Sequence, residues 1–86
     1  MKRNERGDAK LGVTNDRDTQ LVVCVEPYAD EFILLPGESL EIVARFKGHI
    51  PYLHAREAEN GVWVYIERGG ELIDVVKDGQ SLWHTA

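Results

Sequence analysis

Cys24, His49, His54 and His84 carry the thiol and imidazole groups of this chain, and any metal or thiol chemistry would have to start from them. A blue-copper centre takes two histidines, a cysteine followed closely by one of them, and usually an axial methionine. Here Cys24 runs into Val25-Glu26-Pro27 and the single methionine is Met1, so that ligand set is missing. His49 and His54 stand five positions apart, which on one strand places them on opposite faces. His84 is expected on the core-facing side, near the end of its strand. Neither a cysteine pair nor an H-E-x-x-H run is present to favour zinc. Asn15-Asp16-Arg17-Asp18 offers oxygen ligands without the alternation, the glycine and the closing glutamate of a calcium loop.

Nucleophiles fare no better. Ser39 and Ser81 sit beside turns without the strained elbow that presents a catalytic hydroxyl. Cys24, inside Leu21-Val22-Val23-Cys24-Val25, reads as a small buried hydrophobe. Gly69-Gly70 has strand sequence on both sides, where a phosphate cradle would need a helix start. We therefore expect no metal, no cofactor and no enzymatic activity.

Recognition is left. The binding candidates are His54, Arg56, Trp63, Tyr65, Glu67, Asp74 and Trp83. Tryptophan, tyrosine and arginine are favoured anchors at protein interfaces. The three aromatics have three competing roles: a second core face under the N-terminal strands, a surface buried between copies or against a partner, or a platform that stacks on a sugar. In the last case Arg56, Asp74 and Glu67 would be polar guides. His54 and Glu67 are expected to form a cross-strand ion pair on a wet face.

These side chains must be positioned by strands. Four glycine turns, Pro36-Gly37, Asn60-Gly61, Gly69-Gly70 and Asp78-Gly79, punctuate short β-branched and aromatic runs. Such dipeptides supply the positive φ angles of tight reversals. Strands are expected near 11–14, 20–26, 31–35 and 39–46, with a turn at Pro27-Tyr28-Ala29-Asp30. In the fourth, Leu40, Ile42, Ala44 and Phe46 alternate with Ser39, Glu41, Val43 and Arg45, the period of a half-buried strand. Pro36-Gly37 fits either a hairpin or an arch between sheets.

If the last three turns are all two-residue hairpins, they set a register. Arg56 then faces Tyr65, His54 faces Glu67, Tyr65 faces Asp74 and Asp74 faces Trp83. One face collects Leu53, Ala55, Val62, Val64, Ile66, Ile73, Val75 and Leu82, which makes it the core face. The other carries the row Arg56, Tyr65, Asp74, Trp83, with Tyr52, His54, Trp63, Glu67 and Val76 around it. The fold expected is all-β: a small antiparallel β-sandwich of seven or eight short strands ending in a four-stranded C-terminal meander. A compact β-barrel is the alternative.

Eighty-six residues make one domain. Residues 1–10 are polar and aperiodic and read as a flexible tail, with the sandwich over 11–86. A net charge of −5 and a pI near 5.1 argue against nucleic acid and anionic membranes as partners. No apolar run spans a bilayer, no hydrophobic leader follows the basic N-terminus, and one cysteine allows no internal disulfide, so the expected compartment is cytoplasmic.

The stretch from Cys24-Val25-Glu26-Pro27-Tyr28 through Leu35-Pro36-Gly37-Glu38 to Glu41-Ile42 resembles short bacterial proteins of unassigned function. Their layout is a valine-rich strand, E-P-aromatic, an acidic turn, a strand, P-G-E and a strand. The resemblance spans roughly residues 20–84 and implies an immunoglobulin-like or cupredoxin-like sandwich, with no catalytic residues to carry over. The functional expectation is a protein-binding or self-associating module, with a homo-oligomer as one outcome. A small-ligand or carbohydrate-binding module is the alternative, and an acidic inhibitor of a basic partner is a third.

Overall fold

A computed structural model describes residues 8–48 and 50–84, the side chain of His84 excepted. His49, the expected orientation of the His84 side chain and most of the expected tail lie outside the described residues.

Among the described residues eight strands form two four-stranded sheets, the sandwich expected from the turns, and the barrel alternative does not apply. The first sheet contains β1 (Asp8–Thr14), β4 (Ser39–Arg45), β7 (Glu71–Lys77) and β8 (Gln80–His84), in the order β1-β4-β7-β8. The second contains β2 (Leu21–Glu26), β3 (Asp30–Leu34), β5 (Leu53–Glu57) and β6 (Gly61–Ile66), in the order β3-β2-β6-β5. All neighbours are antiparallel except β2 and β6, which run parallel at the centre of the second sheet. β1 begins at Asp8, three residues ahead of the expected Leu11.

The core follows from alternation. Leu40, Ile42 and Ala44 of β4 point inward, as do Val23 and Val25 of β2 and Val62, Val64 and Ile66 of β6. Two loops are locked by Asn15, which is fully buried. Its Nδ2 donates to the carbonyls of Thr19 (2.8 Å) and Leu34 (2.9 Å), and its Oδ1 accepts from the Arg17 amide (2.9 Å). Its main chain exchanges hydrogen bonds with Gly37 and Glu38. A buried amide with every polar group satisfied specifies geometry without an exposed penalty. Pro36-Gly37, tied down in this way, is an arch from one sheet to the other.

The four C-terminal strands are present but divide into two hairpins, one in each sheet. Gly69-Gly70 is not the hairpin turn expected. The left-handed pair is Arg68 (φ 57°) and Gly69 (φ 73°). A Cβ at Gly70 would overlap the Phe46 ring and the Ile66 methyl, so this glycine serves close packing where the chain crosses between sheets. The expected facing of Tyr65 with Asp74 is therefore lost.

Asn60-Gly61 also departs from a tight turn. A Cβ at Gly61 would stand 2.5 Å from the Val22 carbonyl oxygen, so Gly61 is drawn into the sheet beside β2. The reversal moves one residue earlier, to Glu59-Asn60, closed by the Ala58 amide donating to the Gly61 carbonyl (2.8 Å), and Glu57 pairs with Val62 and His54 with Tyr65, two residues away from the expected register. A shift of two keeps every side chain on its face.

Asp78-Gly79 is the two-residue hairpin expected, with φ of 53° and 75° and Lys77 paired with Gln80. A bulge between Val75 and Val76 then shifts the pairing by one, so that Val75 meets Trp83. Trp83 turns inward against the core and Leu82 turns outward, 48% exposed. A second bulge between Val43 and Ala44 brings Leu72 into the core in place of Ile73. Ala55, also expected in the core, is exposed.

Candidate recognition face

The outer face of β3-β2-β6-β5 brings together five of the seven expected site residues. With Val23, Val25, Val62, Val64 and Ile66 turned inward, the intervening positions Val22, Cys24, Glu26, Trp63 and Tyr65 must face outward. On β5 the same logic turns His54 and Arg56 outward. On β3, where Phe32 and Leu34 lie inward, it exposes Glu31 and Ile33. The main-chain bond from Glu67 N to Tyr52 O (3.1 Å) extends the β5–β6 ladder by one step and adds both side chains to the face.

Three rings form a cluster with His54 in contact with both tyrosines. The His54 imidazole lies 5.1 Å from the Tyr65 ring, stacked at an interplanar angle of 18°, and 5.1 Å from the Tyr52 ring, tilted at 38°. The Arg68 guanidinium sits 5.0 Å over Tyr52, within cation–π range. His54 Nε2 and Glu67 Oε2 are 2.5 Å apart, so the expected pair forms, as a diagonal contact across the shifted register. Beside the cluster, Glu26, Pro27, Tyr65, Glu67, Arg68 and Gly69 bound an open groove of about 620 Å³.

Cys24 lies at the middle of this face but is 7% exposed. Burial, with the carboxylates of Glu26, Glu31 and Asp30 adding to it, pushes the thiol up to about 11. It donates to Glu26 Oε2 at 3.2 Å. A thiol held protonated is a poor nucleophile, as expected of a small buried hydrophobe.

The other two expected residues lie elsewhere. Asp74 is on the opposite sheet, where it accepts a 2.5 Å hydrogen bond from Ser81 Oγ. Trp83 packs on the core with its ring 5.9 Å from that of Tyr28. Tyr28 itself reaches across the sandwich to accept a hydrogen bond from the Leu72 amide (2.9 Å). Sequence reasoning missed Glu26, Glu31 and Arg68 as members of the face. They enter it through the parallel β2–β6 pairing and the turn after β6, and neither leaves a local sequence signal.

No protein-family model matches the chain, and neither a curated protein nor a solved structure matches it. Among the described residues no group of three or more His, Cys, Asp or Glu is arranged to hold a metal ion, and no helix is long and apolar enough to cross a membrane.

Proposed function

We propose that this protein is a non-enzymatic binding module that recognises a protein partner through the outer face of β3-β2-β6-β5. One observation carries the reading. Trp63, Tyr65, His54 and Tyr52 occupy the solvent side of a sheet whose inner side already forms the core, and Ile33 and Tyr52 there are 51% and 42% exposed. Amphipathic aromatics flanked by arginine are the composition of interface centres. Tyr65→Ala tests it. The half-buried ring can be removed with the fold intact, checked by thermal melting. We expect a change in solution mass or loss of a captured partner; if neither changed, the reading would fail.

A second reading rests on the groove beside Tyr65. Its aromatic wall and its mix of carboxylates and guanidinium suit a small polar ligand such as a sugar. Saturable shifts in tryptophan emission against a panel of sugars, abolished by Tyr65→Ala, would favour it over a protein partner.

A further inference from the structure

We infer that the partner of this face is a second copy of the chain, docked face to face about a twofold axis that runs along the strands between β2 and β6. The inference rests on the reading that the face binds protein. Its basis is the order of charges across the sheet. Glu31 is the register partner of Cys24, Cys24 of Trp63, and Trp63 of Arg56, so one straight row crosses all four strands from acid to base. The next row runs Glu26, Tyr65, His54 in the same sense. Carboxylates thus hold the β3–β2 half, while Arg56 and the His54 imidazole hold the β6–β5 half. Glu67, an acid on that second half, is engaged with His54.

A twofold axis along the strands exchanges β3 with β5 and β2 with β6. Glu31 of each copy then meets Arg56 of the other, and Cys24 lies opposite Trp63. The other in-plane axis, perpendicular to the strands, would set Glu31 against Glu31 and Arg56 against Arg56. Like charges in apposition suppress that alternative, so the row itself selects the orientation. Glu31 and Arg56 are both exposed, and among the described residues neither has an ion-pair partner within its own chain. An isologous contact needs a surface complementary to itself, and a row graded from acid to base meets that need.

The size of the face sets the strength. Four strands about 4.8 Å apart and roughly 17–20 Å long would bury on the order of 1,000 Å² between two copies, the low end for a specific interface. The dimer is therefore reversible and concentration-dependent.

Charge exchange tests it. Sedimentation velocity over a concentration series would compare the wild type with Glu31→Arg, with Arg56→Glu, with the double variant, and with an equimolar mixture of the two single variants. We expect a wild-type dimer, at least tenfold weaker association in each single variant, and recovery in both the double variant and the mixture. Each copy in the mixture regains opposite charges at both contacts. A wild type that stays monomeric throughout would overturn the inference. So would a dimer indifferent to the single reversals, or single variants that mixing does not rescue. Both positions are exposed, and a single cooperative melting transition, compared with wild type at a dilution where both are monomeric, confirms that each variant is folded. If the inference fails while Tyr65→Ala still abolishes capture of another protein, the face remains a binding surface and only its occupant is wrong.

Discussion

The two outer faces of this sandwich are built from the same kind of strand and end up with opposite character. On the β1-β4-β7-β8 sheet, apart from the exposed Leu82, many outward side chains are short or charged, and several pair with one another. Thr14 and Ser39 share a 2.8 Å hydrogen bond, Arg45 pairs with Asp8 at 3.0 Å, and Ser81 donates to Asp74. Exposed pairs of this kind add little stability; their effect is a surface that water wets well. On the β3-β2-β6-β5 sheet the same positions hold Trp63, Tyr65, His54 and Tyr52, with a cysteine buried among them. One face is largely closed by its own polar pairs. The other carries aromatic area that the monomer leaves partly in water, and the contrast between the two is the case for a docking surface.

The largest expected effect removes both faces at once. Asn15→Ala should lower stability by about 3 kcal/mol, because three side-chain hydrogen bonds vanish and the buried Leu34 carbonyl loses its Asn15 donor. Chemical denaturation should show the two sheets lost in one transition, since Asn15 ties the loop after β1 to the arch before β4.

A smaller effect separates the two tryptophans. Trp83 packs inward, and its indole nitrogen is buried with no hydrogen-bond partner among the described residues. Trp83→Phe removes that stranded donor while keeping an aromatic ring, so stability should change by less than about 1 kcal/mol and solution mass not at all. Trp63→Phe, on the face proposed for docking, should leave stability similarly close to wild type and weaken association. The same result for both would erase the distinction between them.

The smallest effect is a matter of pH. Glu38 accepts from the Leu35 amide (2.7 Å) and lies 2.9 Å from Lys77 Nζ, and these contacts hold its carboxyl below the ordinary value of 4.5. A carboxyl whose folded value is depressed adds stability above its unfolded value, and that stability is lost as pH falls through the folded one. Below pH 4.5 the melting temperature of the wild type should therefore fall more steeply than that of Glu38→Gln. Parallel pH profiles would show that the arch contact contributes nothing.

How much of this was legible in the sequence depended on whether an error was even or odd. The two-residue slip at Asn60-Gly61 left Trp63, Tyr65, His54 and Arg56 on the face expected for them. The one-residue bulge between Val75 and Val76 turned Trp83 over. Gly70 read as turn chemistry, yet Phe46, 24 positions earlier in the chain, is what requires it. Local residues cannot announce a neighbour of that kind. The same holds for Asn15, which entered only as part of an incomplete calcium loop, and for the parallel β2–β6 pairing that completes the face. Alternation and turn signals specified the strands and their inward sides; the partners across the sheets were set by packing between distant segments.

That parallel pairing has a consequence for how the molecule forms. Each sheet takes two adjacent strands from the first half of the chain, β1 with β4 or β3 with β2, and two from the second half, β7 with β8 or β6 with β5. The seams are β4 against β7 and β2 against β6. Neither half can close a hydrophobic layer alone, and each offers the other two open edges. Contacts of such long sequence separation are slow to reach. A chain cut in the segment between β4 and β5 would thus yield two complementary fragments that acquire structure only on meeting.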